Sequence, residues 1–94
     1  MSVVWSALAL DDLEEIRAWI ARERPSTARV ITLRILDAVE SLALHSLLGR
    51  PGRVAGTREF AVPRTPFVIF YQVRDDVVEI LRVLRGRRDK LPEV

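Results

Sequence analysis

The chain has 94 residues, 49% hydrophobic and 30% charged, which fits one compact domain and excludes both a two-domain chain and a disordered one. No cysteine and a single histidine exclude disulfides and argue against a structural zinc, and no apolar run approaches the roughly 18 residues of a membrane span. The net charge of +2 hides a polarity, because residues 1–47 carry five Arg against seven acids while residues 48–94 carry nine Arg and one Lys against six.

Ser2-Val3-Val4-Trp5 predicts a short strand of β-branched and aromatic residues. The N-terminal MSVVWSALALDD has no basic leader and turns acidic at once, so the expected location is cytoplasmic, with no membrane partner. Ser6 is placed to cap a helix over about 7–23, in which Ala9, Leu13, Ile16 and Ile20 form one apolar stripe. Arg24-Pro25 ends that helix, and Pro25 suits the first turn of a second one. There Ala28, Ile31, Ile35, Ala38 and Leu42 recur at helical spacing, and Gly49 as a helix-stop residue predicts an end near 47. Residues 48–56, with three glycines and a proline, predict a loop.

Beyond it the period changes. Strands are expected over 57–62, 67–74 and 77–85, with a turn at Pro63-Arg64-Thr65-Pro66 and a tight Asp75-Asp76 turn making a hairpin of the last two. VIFYQV and VVEILRVL are apolar on both faces, so one face packs on the helices and the other needs a cover or is a binding surface. The expected fold is α+β in the order β-α-α-β-β-β, a helix hairpin packed on a small, mostly antiparallel sheet in one domain of residues 1–94.

Few residues suggest chemistry. Asp11, Asp12, Glu14 and Glu15 read as a solvated, dipole-favoured helix start rather than a metal site. His45 reads as a cation complementing the end of the second helix. Trp5 and Trp19 read as core and helix–sheet packing, and GRPGRVAG lacks the spacing of a phosphate-binding loop. Tyr71 is a core or sheet-surface tyrosine that could also stack a base or donate a proton. The arginines Arg58, Arg64, Arg82, Arg85, Arg87 and Arg88 are candidates to meet a target, as a patch for phosphate or for an acidic protein segment, with a solvated terminus as the plain alternative.

Val4-Trp5-Ser6 with Ala9, Asp12-Leu13 and Ile16, then Ile20, Pro25 and Ala28, then GRPGRVAGTREF (49–60), TPFVIFY (65–71) and VEILRVLRGRRD (78–89), follow one another at a spacing that resembles the RelE/ParE toxin superfamily. The ParE branch, the plasmid stabilisation proteins, is the closer likeness. The resemblance implies a toxin held in a hetero-oligomer by a cognate, ParD-like antitoxin, whose disordered tail folds onto the helix hairpin and sheet. It points to Leu13, Arg17, Trp19, Ile20, Phe67 and Ile69 as antitoxin-binding candidates. It implies DNA gyrase as the target for a ParE-type member, or mRNA cleavage on the ribosome for a RelE-type one. It calls for no cofactor and no metal. Two departures weigh against RNA cleavage. Val68 stands where RelE-like members carry Arg, and Arg85 stands where many relatives carry His. Arginine stays protonated, so Arg85 is a poor acid or base, and Glu59, Tyr71 and Arg85 remain only as weak catalytic candidates. A degenerate toxin that acts only as an antitoxin-binding partner is the third reading.

Overall fold

A computed structural model describes residues 1–86 of the chain. The first strand, β1 (Ser2–Trp5), passes straight into helix α1 (Ala7–Ala21) at Ser6, whose hydroxyl accepts the Ala9 N–H at 3.0 Å. Three residues separate α1 from α2 (Pro25–Leu44), with Pro25 in the first turn of α2 where its missing N–H is harmless. Then follow β2 (Arg50–Pro51), β3 (Thr57–Ala61), β4 (Phe67–Arg74) and β5 (Val77–Arg85).

The strands form one sheet in the order β1-β5-β4-β3-β2, antiparallel except for β1, which runs parallel to β5. The fold is the expected α+β helix hairpin on a mostly antiparallel sheet. The hairpin β4–β5 lies at the expected residues, and Asp75 and Asp76 turn it with φ of 52° and 62°. Two successive positive φ values suit the right-handed twist of a two-residue hairpin. β4 is central, and its first five residues are all buried, as a two-sided apolar run predicts.

Ile35, Ala38, Val39 and Leu42 of α2 meet Ile69, Tyr71, Val78, Ile80 and Val83 of the sheet in the main core, and Leu13, Ile16 and Ile20 of α1 close its side. Each large apolar side chain fully buried here stabilises the fold by about 1.5–3 kcal/mol. On the other sheet face Val68 and Phe70 are buried beside Leu84 in a smaller cluster.

Three details differ from expectation. Arg50 and Pro51 are a short strand paired with Glu59 and Arg58, where a plain loop was expected. The helix α2 stops at Leu44, not near 47, because His45 leaves the helical region at φ −135° and ψ 77°. His45 is therefore the residue that ends the helix rather than part of its last turn. Trp19 is 66% exposed and is not a core residue, whereas Trp5 is half-buried against the core as expected.

Candidate functional site

The site is built where α1 runs past the end of β5. β1 pairs with β5 only from Val77 to Ile80, so the outer edge of the last five residues of β5 has no strand beside it. The start of α1 covers that edge. Ser6 donates its N–H to the Ile80 carbonyl at 2.9 Å and its hydroxyl to the Leu81 carbonyl at 2.8 Å. Asp12 accepts the Val83 N–H at 3.0 Å and both nitrogens of the Arg82 fork at 2.8 and 2.9 Å. The Asp12 hydrogen bond raises the pKa of Arg82 further, so the guanidinium stays charged.

Asp12 is only 7% exposed. The four acids lie beyond the first turn of a helix that starts at Ala7, and Asp12 among them is not solvated, because its neighbours on the stripe face the sheet. Arg82, a target-binding candidate, has its guanidinium occupied by Asp12.

Further along, Glu15, Ile16, Ala18, Trp19 and Arg22 of α1 face Phe67 and Arg85 across an open groove of about 610 Å³. Two arginine–aromatic stacks flank it. Arg22 lies 5.3 Å from the Trp19 ring centre, and Arg85 lies 5.5 Å from that of Phe67, its ladder partner. Such stacks hold each guanidinium flat while leaving its N–H groups free for an anion. Ile20, Glu23 and Arg24 extend the groove towards the helix connection. It therefore unites Trp19, Ile20 and Phe67, expected to meet an antitoxin, with Arg85, expected to meet a target. Arg22 also belongs to it, and the sequence signal for it was its position three residues after Trp19, one helical turn on.

The remaining candidates lie elsewhere. Leu13 packs on the core, and Ile69 is fully buried with no surface to offer a partner. Arg17 is paired with Glu14 at 2.6 Å on the exposed side of α1, which holds the Glu14 carboxyl below its ordinary pKa. Arg64 sits in the β3–β4 turn with φ 59°, and its carbonyl accepts from Arg34 at 3.1 Å. Arg58 donates to the Gly49 carbonyl at 2.7 Å. Among the described residues the candidate arginines thus serve several places instead of one patch. Arg87 and Arg88 lie outside the described residues.

Nor do the acid–base candidates converge. Tyr71 is fully buried on the helix side, donating to the Ser46 carbonyl at 2.8 Å and accepting the Gly49 N–H at 2.9 Å. Burial pushes its pKa up. Glu59 faces the opposite side of the sheet, 4% exposed, with Arg50 at 3.5 Å and the Arg53 N–H at 3.3 Å. It borders a second groove of about 550 Å³ with Arg50, Ala61, Val68 and Gly86. Arg85 is turned towards α1. Among the described residues no group of His, Asp and Glu is placed to hold a metal ion, and no helix is long and apolar enough to cross a membrane.

The sequence and the fold recur in known proteins. The chain is 39% identical over 84 residues to Y4kP of Sinorhizobium fredii, covering 89% of this chain and 86% of that one. It is 37% identical over 86 residues to toxin RelE2 of Caulobacter vibrioides, covering 92% and 96%. The structure of a chromosomal ParDE toxin–antitoxin system from P. aeruginosa superposes with a TM-score of 0.82 at 30% identity, over 90% of this chain and 95% of that one. The E. coli RelBE toxin–antitoxin complex shares the fold, with a TM-score of 0.65 at 14% identity over 93% and 98%. Residues 3–90 match the family described as the ParE toxin of the type II toxin–antitoxin system, parDE, and the chain belongs to that family.

Proposed function

We propose that this type II toxin arrests growth by binding DNA gyrase without chemistry of its own, and that its cognate antitoxin silences it by occupying the groove between α1 and the end of β5. The observation that carries the first part is the separation of Glu59, Tyr71 and Arg85. One faces the far side of the sheet, one is locked in the core by two hydrogen bonds, and one is stacked on Phe67. A reaction needing a base, an acid and phosphate stabilisation has no common centre there. The groove supports the second part. It offers an apolar floor from Ile16 and Ala18, exposed Trp19, and the cations Arg22 and Arg85, which suit a tail with bulky apolar and acidic side chains.

Gyrase is tested with purified toxin in a supercoiling assay, where inhibition at stoichiometric toxin is expected. Unaltered supercoiling at high excess overturns the target. The groove is tested by Arg22→Glu with Arg85→Glu, which weakens antitoxin binding at least about tenfold if it carries the contact.

A second reading keeps one observation in its favour. Glu59 is a buried carboxylate at the mouth of a groove beside Arg50, and a relative at 37% identity bears the name toxin RelE2. If that reading holds, brief induction produces codon-phased mRNA 5′ ends that vanish in Glu59→Gln. Growth unaffected by expression without antitoxin supports neither activity and leaves a degenerate, antitoxin-binding toxin.

A further inference from the structure

A helix lying on a sheet ordinarily turns a polar face outward, and α2 does not. Leu33 lies opposite the buried Leu42 around the helix and is 51% exposed, with Val30 at 44% and Leu36 at 38% on either side of it. Four charges stand on α2, namely Arg29, Arg34, Asp37 and Glu40. Arg34 is on the flank, where its guanidinium donates to the Arg64 carbonyl at 3.1 Å. Arg34 and Arg64 border a shallow pocket with Asp37 but make no ion pair with it. Arg29, Asp37 and Glu40 are exposed and join no ion pair among the described residues. Arg29 and Asp37 lie out of each other's reach on one helix, because eight residues set them about 12 Å apart.

The order of these residues is self-complementary. Arg29, Leu33 and Asp37 stand four apart, so they form one ridge of the helix, basic at one end, apolar in the middle and acidic at the other. Val30 and Leu36 flank the central leucine, three residues to either side, and Glu40 adds to the acidic half. A twofold axis at Leu33 lays the ridge of one copy antiparallel to the same ridge of a second. Each Arg29 then faces Asp37 of the other copy, and Leu33 faces itself between Val30 and Leu36. The commonest helix crossing, about −50°, brings such ridges together. A parallel pair would set like charges against each other. The helix alone does not call for this order, because its dipole favours acids towards its start and bases towards its end.

We propose that the chain pairs with a second copy of itself through α2, antiparallel about a twofold axis at Leu33. A different partner would have to supply the reversed order of charge and apolar residues, whereas a second copy carries it already. The contact is small, so the dimer is weak and forms and dissociates with concentration. No residue of α2 lines the groove at Trp19, so pairing leaves that groove open. The proposal therefore does not depend on where the antitoxin or gyrase binds.

The test is sedimentation of the whole chain over a range of concentrations, which is expected to show a monomer–dimer equilibrium. Leu33→Asp puts two carboxylates at the axis and is expected to weaken the dimer about tenfold or more. Arg29→Asp weakens it as well, and adding Asp37→Arg to that variant restores it, because the swapped charges face each other again. Geometry is tested by cross-linking, since the chain has no cysteine of its own. A disulfide needs Cβ atoms within about 4.5 Å. Leu33→Cys meets itself at the axis, whereas the two copies of Leu44→Cys, 11 residues from it, stand about 30 Å apart. Under mild oxidation the first is expected to cross-link at least about tenfold faster than the second. A chain that stays monomeric up to about 1 mM, a dimer indifferent to Leu33→Asp, a charge swap no better than Arg29→Asp alone, or equal cross-linking of the two cysteines overturns the proposal. A monomeric chain that loses its antitoxin on Leu33→Asp also overturns it and assigns the face to the antitoxin.

Discussion

Tyr71 is the only tyrosine, and its hydroxyl carries two structural bonds, one to the Ser46 carbonyl and one from the Gly49 N–H. Tyr71→Phe keeps the ring in the core and leaves those two backbone groups without their partner, at a cost of about 1–3 kcal/mol. The pH dependence has a definite sign. Burial raises the pKa of the phenol above 10.0 in the folded chain, so the unfolded chain ionises first. The stability from this group is complete below about pH 10 and is lost as pH rises towards the folded value, at about 1.4 kcal/mol per unit. Urea midpoints at about pH 8, 10 and 11 are expected to fall more steeply for the native chain than for Tyr71→Phe. Tyrosinate absorbance follows this one group directly, and a midpoint at or below 10 contradicts the burial argument. The same residue explains why the end of α2 was not legible in the sequence. Gly49 resembles a helix-stop signal, but it is placed for Tyr71, 22 residues away, and no local pattern records that contact.

At the scale of elements, α1 is fastened to β5 by Asp12. Removing Arg82 leaves a nearly buried carboxylate with only the Val83 N–H, and removing Asp12 frees both the guanidinium and that N–H. Asp12→Ala and Arg82→Ala are each expected to cost roughly 2–3 kcal/mol, less than a fully buried pair because Arg82 is partly solvated. The double variant should cost clearly less than the sum, since both changes remove one interaction. Full additivity in chemical denaturation shows that the contact contributes little. Asp12 was legible, because it lies three residues after Ala9 and four before Ile16, on the apolar stripe that faces the core. Treating the acids as one solvated group hid that spacing. The strands β4 and β5 were legible to the residue, because apolar runs and a two-residue turn are local signals. The pairing of Arg50–Pro51 with β3 was not, since two residues beside glycines carry no strand pattern. The groove was half legible: Trp19, Ile20, Phe67 and Arg85 could be named, but nothing local in the sequence brings α1 against the end of β5.

For the whole molecule, the first and last strands are neighbours. Ser2 pairs with Val77 and Trp5 with Ile80, so the sheet closes only after nearly the whole chain is present. Closing so long a loop is entropically expensive, whereas β4 and β5 meet across a two-residue turn. The hairpin with α2 packed on it is therefore expected to form in the folding transition state, and β1 with the start of α1 to dock afterwards. In stopped-flow kinetics Ile69→Val, at a cost of about 0.5–1.5 kcal/mol, should act mainly by slowing folding. Val3→Ala, in β1 against the core, should act mainly by speeding unfolding. If Val3→Ala slows folding in proportion to its full destabilisation, β1 pairs early and the order is reversed. The order bears on function because the groove draws Trp19 and Arg22 from α1 and Phe67 and Arg85 from the hairpin. The groove is complete only when the late element has docked, so changes that loosen β1 or Asp12 are expected to weaken antitoxin binding although they touch neither wall.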